Sequence, residues 1–184
     1  MRLFAAVPIT DAAAGELQAV LAELGREAWP VRWVRPEGLH LTLKFFGETD
    51  PDRAGSIAGM LERAVGRTGP VACAAEGLGT FPAHGSARVL WAGYHGEPAL
   101  ELLAHRIEEG AVALGFPVEG RPFRAHVTLG RTRDGSRLPV AAVARLDGRP
   151  LLESFTAGRV VLYQSTPGPG GSRYDPLATF PLDG

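Results

Sequence analysis

A mixed α and β domain made of two similar lobes is the fold class this chain predicts. Three observations carry the prediction. First, R-P-x-x-x-H-x-T-L is written twice, as RPEGLHLTL at 35–43 and RPFRAHVTL at 121–129, 86 residues apart. With so few His and Thr, H-x-T would arise by chance less than once, so two copies at one offset mark an internal repeat. Second, each half reads as an apolar strand, an amphipathic helix and a strand-rich segment ending in the motif. Third, no Ser/Gly linker or charge run separates the halves, and 184 residues suit one domain with a core of its own.

Taken in order, RLFAAVPI is a short apolar strand. Asp11 stands where an N-cap belongs, ahead of a helix over 11–28 whose Leu17, Leu21 and Leu24 follow helical spacing. VRWV and LHLTLKFFG read as strands, closed by Gly47 and a turn at Asp50-Pro51. DRAGSIAGMLERAVGR is a helix weakened by its glycines. PVACAAEGLGTF is a strand and FPAHGSA a loop. ARVLWAGY then matches the first strand, and EPALELLAHRIEEGAVALG the first helix. The second motif copy follows. Ser136 to Leu146 reads as a short helix, and LLESFTAGRVVLYQS and RYDPLATFPL as closing strands around the loop TPGPGG.

Composition narrows the function. Apolar residues make up 45% and charged residues 21%, which is ordinary for a soluble globular protein. A net charge of −1 argues against a protein that coats long nucleic acid, yet allows a small phosphorylated ligand. The cations are almost all arginine, with Lys44 the single lysine, and Asn is absent; this fits a thermophile and a GC-rich genome equally well. Cys73, the only cysteine, has no partner for a disulfide or a C-x-x-C site and reads as an inert buried thiol. The start, MRLFAAVPITDAAAG, has a faint leader-like look, but Pro8 interrupts its short apolar run, so it reads as the first strand. A cytoplasmic protein with no membrane span is expected.

Alternation along a strand places the chemistry. Leu39, Leu41, Leu43 and Phe45 share one face, with His40, Thr42 and Lys44 opposite. Phe123, Ala125, Val127 and Leu129 share one face, with Arg124, His126 and Thr128 opposite. Placed face to face across a groove, the lobes would bring two imidazoles and two hydroxyls to one space. A single His-Thr pair on a strand is ordinary surface. Its duplication is not, because folding asks only for polar residues there. Imidazoles titrate near pH ~6.5, so one can take a proton while the other gives one. The hydroxyls can hold anionic oxygens, and Arg131 can grip phosphate if the strand ends or twists at Gly130. The other histidines, His84, His95 and His105, lack metal-ligand spacing. TPGPGG is no phosphate cradle, and no G-x-S-x-G is present.

At the two H-x-T-L copies the chain resembles the 2H phosphoesterase superfamily, and most of all the RNA 2′,3′-cyclic phosphodiesterases once called 2′–5′ RNA ligases. RLFAAVPI, VRWVRPEGLHLTLKFFGE, RVLWAG, GRPFRAHVTLGR and VVLYQSTPGPGGSRY carry the resemblance across nearly the whole chain. Ala125 departs from it, since relatives often have Pro before the second His. The resemblance implies one domain over 1–184, with motif copies at 40–43 and 126–129. It implies a bilobal α+β fold, with antiparallel sheets lining a central cleft and helices outside. It also implies hydrolysis of RNA 2′,3′-cyclic phosphate ends to 2′-phosphates, without metal or other cofactor. His40 would be the proton donor and His126 the proton acceptor, although spacing alone leaves those roles interchangeable. Thr42, Thr128 and Arg131 would bind phosphate. Arg32, Arg35, Arg121, Arg124 and Lys44 would favour an RNA end, and Phe46 or Tyr163 could stack on a base. The partners expected are RNA ends or small nucleotides bearing the cyclic phosphate, acted on by a monomer. Three other readings stay open: another cyclic or 2′–5′-linked substrate or the reverse ligation, a non-catalytic nucleotide-binding module, and a metallophosphoesterase.

Overall fold

The first strand, β1 (Arg2–Pro8), is apolar on both faces because both are covered. Leu3, Ala5 and Val7 enter the main core, whereas Phe4 and Ala6 are buried on the other side of the sheet. The computed structural model describes residues 1–82, 86–96, 98–133, 135–168 and 171–184, so His84 and part of TPGPGG lie outside the described residues. Helix α1 (Asp11–Leu24) follows, burying Leu17, Leu21 and Leu24 as the spacing predicts. Its N-cap is Thr10, not Asp11, which is the first helical residue. There the carboxylate still complements the positive end of the helix dipole.

After β2 (Val31–Trp33) and a 3₁₀ turn come the first motif strand β3 (His40–Glu48), α2 (Ala54–Val65) and β4 (Val71–Phe81). The second half repeats the order with β5 (Val89–His95), α3 (Ala99–Ala113), the second motif strand β6 (His126–Thr132) and the short α4 (Val140–Leu146). β7 (Phe155–Ala157), β8 (Arg159–Thr166) and β9 (Arg173–Pro181) close the chain. The predicted strand 151–165 is thus two strands, and the stretch 116–125 before the second motif is not a strand.

Among the described residues, nine strands form one curled antiparallel sheet in the order β7-β4-β5-β6-β3-β1-β8-β9, with β2 beside β6. The order is symmetric about the β6–β3 joint. It contains an exchange that the repeat does not announce. β4 belongs to the first half of the chain but pairs with β5, and β8 belongs to the second half but pairs with β1. Each lobe is completed by a strand from the other half. This is a single domain, and the two sheets expected to line a cleft are halves of one.

Helices and the helix-side face of the sheet share one apolar core, from Leu17 and Leu24 of α1 to Leu103 and Ile107 of α3. Each such fully buried aliphatic side chain contributes about 1.5–3 kcal/mol. Cys73 is buried in β4, and burial pushes its thiol up to about 11, as suits an inert core residue. Glu23 of α1 accepts from Arg149 at 2.7 Å and Arg145 at 3.0 Å, tying that helix to the segment around α4. Among the described residues, no helix is long and apolar enough to cross a membrane.

Candidate active site

The two motif strands meet at one bridge, Leu41 opposite Val127. Both are fully buried on the helix side of the sheet. Antiparallel geometry then sets His40 level with Thr128 and Thr42 level with His126, all four on the opposite face. Residues so opposed have Cβ atoms about 4.5–5.5 Å apart, and diagonal neighbours such as the two histidines are about 7–8 Å apart. The two H-x-T pairs are therefore adjacent rows of one sheet rather than facing walls of a groove. No further rungs tie β3 to β6, and from this joint the rest of each strand pairs with its own lobe, β3 with β1 and β6 with β5.

Each imidazole is oriented by its own backbone. His40 Nδ1–H donates to the Gly38 carbonyl at 2.8 Å, and His126 Nδ1–H donates to the Arg124 carbonyl at 2.7 Å. A carbonyl can only accept, so the proton sits on Nδ1 in both rings and Nε2 is left to exchange protons. Both rings rest on aromatic side chains. His40 lies 4.8 Å from Phe4 and 5.1 Å, edge-on, from Tyr174. His126 lies 5.2 Å from Phe81 and 6.5 Å from Trp91, in both cases edge-on.

This setting disfavours the imidazolium. Burial, with a smaller contribution from the His126 charge, pulls His40 down to about 4, against the opposing hydrogen bond to Gly38. His126 is lowered too, by burial first and then by the guanidinium groups of Arg131 and Arg124. The unfolded chain takes up a proton near pH ~6.5 that folded His40 resists. Stability is therefore expected to fall as pH drops from about 6.5 to 4, by on the order of 3 kcal/mol from His40. Urea unfolding at pH 7 and pH 4.5 measures this, and a His40→Gln variant should show a shallower decline. An equally steep decline in that variant would assign the slope to other groups.

Arg131 joins the site through a bulge. Trp91 is level with Thr128 but Leu90 is level with Gly130, so Leu129 is an extra residue and the alternation slips by one. Gly130 faces the core, where a Cβ would meet the Val31 side chain at 2.6 Å, and Arg131 returns to the face of His126 and Thr128. The first motif does the same at Leu43. That slip overturns two expectations. Lys44 is not on the face of His40; it is 7% exposed, under α3, bonded to Glu108 at 2.5 Å. Phe45 is not a core residue; it is 55% exposed, at the position in its lobe that Arg131 holds in the other.

The remaining candidates separate cleanly. Arg32 sits level with Arg131 on the neighbouring strand β2. Two like charges opposed in this way repel unless an anion lies between them. Arg124 lies over the Trp91 ring, 4.4 Å from its centroid. Arg121 is a solvated partner of Glu119, and Arg35 flanks the 3₁₀ turn. Phe46 packs edge-on against Phe116 in the core, whereas Tyr163 stacks on Phe4 beside His40. His95 and His105 pair with Glu76 and Glu109. No group of three or more potential metal ligands occurs among the described residues. The aromatic floor of Phe4, Phe81 and Trp91 is the part that alternation could not find. β1 and β5 are apolar on both faces, so periodicity does not say which face is the cleft.

The LigT like phosphoesterase family matches residues 7–91 and 95–174, and the chain belongs to that family of enzymes, within the 2H superfamily. Among relatives, a protein of Archaeoglobus fulgidus named RNA 2′,3′-cyclic phosphodiesterase is 33% identical, over 98% of this chain and 99% of that protein. One of the same name from Geobacillus stearothermophilus is 30% identical over 98% of this chain, which spans 57% of that relative's length. In structure the chain is similar to a protein of Thermus thermophilus, with a TM-score of 0.84 at 27% identity over 100% and 99% of the two chains. Escherichia coli LigT complexed with 3′-AMP superposes with a TM-score of 0.78 at 25% identity, over 98% and 97%.

Proposed function

We propose that this phosphoesterase hydrolyses 2′,3′-cyclic phosphate ends of RNA to 2′-phosphates by a two-histidine, metal-independent mechanism, with residues 1–184 acting as one catalytic domain. The observation that carries the reading is the pair of Nδ1–H to carbonyl bonds, which frees Nε2 of both histidines on one face of one sheet. His126 Nε2 takes a proton from water as the water oxygen bonds to phosphorus. His40 Nε2–H gives a proton to the 3′ oxygen as the P–O3′ bond breaks. Thr42, Thr128 and Arg131 hold the nonbridging oxygens as their charge grows. Burial makes an imidazolium at His40 costly. The acid role therefore belongs to the complex, in which the phosphate anion offsets the effect of burial.

The names of relatives support the substrate class, and 3′-AMP is the ligand bound to the similar LigT. A cytoplasmic monomer acting on RNA ends or small cyclic nucleotides completes the proposal.

Incubating the protein with a short RNA ending in a 2′,3′-cyclic phosphate, in excess chelator, tests it. A 2′-phosphate product at an undiminished rate is expected. A 3′-phosphate product would mean that the other ester bond is cut, and loss of activity in chelator would require a metal. Arg131→Ala should lower kcat/KM about 10- to 100-fold, the size of a lost charge-assisted contact to phosphate. Comparable activity in that variant would remove Arg131 from the phosphate site.

A further inference from the structure

Three rows of paired side chains cross the cleft face at β6, and the third is made of two arginines. The Leu41–Val127 bridge sets Thr42 level with His126 and His40 level with Thr128. Further along β6 the neighbouring strand changes. Val34 N–H donates to the Leu129 carbonyl at 2.8 Å, and β2 pairs Trp33 with Gly130, Arg32 with Arg131 and Val31 with Thr132. Between Val34 and His40 the chain leaves the sheet through the 3₁₀ turn Pro36–Gly38 and then returns. The two columns therefore read Arg32, His40, Thr42 against Arg131, Thr128, His126.

Arg32 faces the cleft because its neighbours face the other way. Val31 is buried in the main core and Trp33 packs against that core; their side chains lie 2.6 and 3.0 Å from where a Gly130 Cβ would be. Alternation then turns the exposed Arg32 to the side of Arg131. Residues so opposed have Cβ atoms about 4.5–5.5 Å apart, so two guanidinium groups share one patch. Among the described residues neither forms an ion pair, whereas Arg121, Arg145, Arg149 and Arg173 each do. Three residues of a bulged strand, about 10 Å at most, separate this row from Thr128, a gap that long side chains span. The charge of Arg131 already reaches His126, whose imidazole it helps to hold below its ordinary value.

The reaction supplies a charge for that patch. A cyclic phosphate carries one negative charge. Once His126 takes a proton from water and the water oxygen bonds to phosphorus, the five-coordinate species carries two. When the P–O3′ bond breaks and His40 delivers its proton to O3′, a phosphomonoester is left, singly charged until it loses its last proton near pH ~6. The attacking and leaving oxygens lie on the His126–His40 diagonal. The nonbridging oxygens then point along the other diagonal, to Thr42 and Thr128, and the arginine row lies just beyond Thr128. We infer that Arg32 is a further catalytic residue, which with Arg131 holds the second negative charge developing on the nonbridging oxygens. The same pair prefers a doubly charged phosphomonoester to a singly charged diester. One guanidinium matches the charge of the substrate, and the second gains its partner only as the transition state forms. The order of charges rests on the phosphodiesterase reading above; the preference for a doubly charged anion does not.

Arg32→Ala tests it, in turnover of a nucleoside 2′,3′-cyclic phosphate and in binding of two inert probes at about pH 8. The probes are 3′-deoxyadenosine 2′-phosphate, doubly charged, and its methyl ester, singly charged; neither has a 3′ hydroxyl to react. In the variant kcat should fall about tenfold or more while KM changes less than about threefold, the pattern of a contact made only in the transition state. The parent should bind the doubly charged probe about tenfold more tightly than its methyl ester, and Arg32→Ala should bring that ratio close to one. Arg133→Ala, just past the end of β6, removes a nearby charge outside the pair and should change neither result by more than about twofold. A raised KM on RNA with kcat unchanged would assign Arg32 to the RNA backbone and overturn the inference. So would an equal loss for both probes, or the same losses in Arg133→Ala. A charge preference lost in Arg32→Ala, in a parent that hydrolyses no cyclic phosphate, would keep the arginine pair and remove the phosphodiesterase reading; full hydrolysis by Arg32→Ala would do the reverse.

Discussion

Replacing His126 by Ala is expected to lower turnover of a nucleoside 2′,3′-cyclic phosphate by about 10³-fold, with His40→Ala of similar size, the range of one proton transfer. The two losses should not add in the double variant, because removing either partner disables the same step. The fold should survive, since both rings lie outside the main core, on the cleft face. Matching near-ultraviolet circular dichroism and urea midpoints within about 0.5–1 kcal/mol of the parent would show that the loss is chemical. A phosphodiester with a nitrophenolate leaving group separates the roles, because that group departs without a proton. If His40 is the acid, His40→Ala should lose far less on this ester than His126→Ala. The reverse pattern would exchange the roles, and a tenth or more of parental activity on the cyclic phosphate in either single variant would remove the two-histidine mechanism altogether.

Leu41→Ala should be the most damaging of the conservative core truncations, costing about 3 kcal/mol and depressing activity as well. Leu41 is 0% exposed and forms, with Val127, the bridge that joins β3 to β6. Truncation leaves a cavity where the two lobes join, and the joint also sets the spacing of the His-Thr rows. A shift of the urea midpoint with an unchanged m-value would show lost stability rather than a changed unfolded state. Leu102→Ala on α3 is the control: it is 55% exposed and should cost under about 0.5 kcal/mol. Similar midpoints for the two variants would mean that the joint contributes nothing beyond ordinary surface.

Much of the site could be read before any coordinates. Leu41 and Val127 behind, with His40, Thr42, His126 and Thr128 in front, follow from period-2 alternation in two copies of one motif. What alternation misplaced were Lys44 and Phe45, and it placed Arg131 only on condition of a twist. A single cause accounts for all three. An extra leucine, Leu43 in one strand and Leu129 in the other, shifts the phase so that the fifth residue after each histidine rejoins its face. A bulge inserts one residue into the pairing of two strands, and pairing is not written in either strand alone. The same holds for the aromatic floor under the histidines, which β1, β4 and β5 build jointly.

The chain alone determined that the molecule is duplicated, that each copy carries a His-Thr pair opposite an apolar face, and that its helices bury Leu17, Leu24 and their equivalents. These are local facts, set by the period of a strand or a helix. Tertiary structure decided that the two copies share one sheet, that each lobe borrows its last strand from the other half, and that burial lowers both imidazoles. Those depend on which strands become neighbours and on what covers them, and neighbours far apart in the chain are chosen only when the core closes.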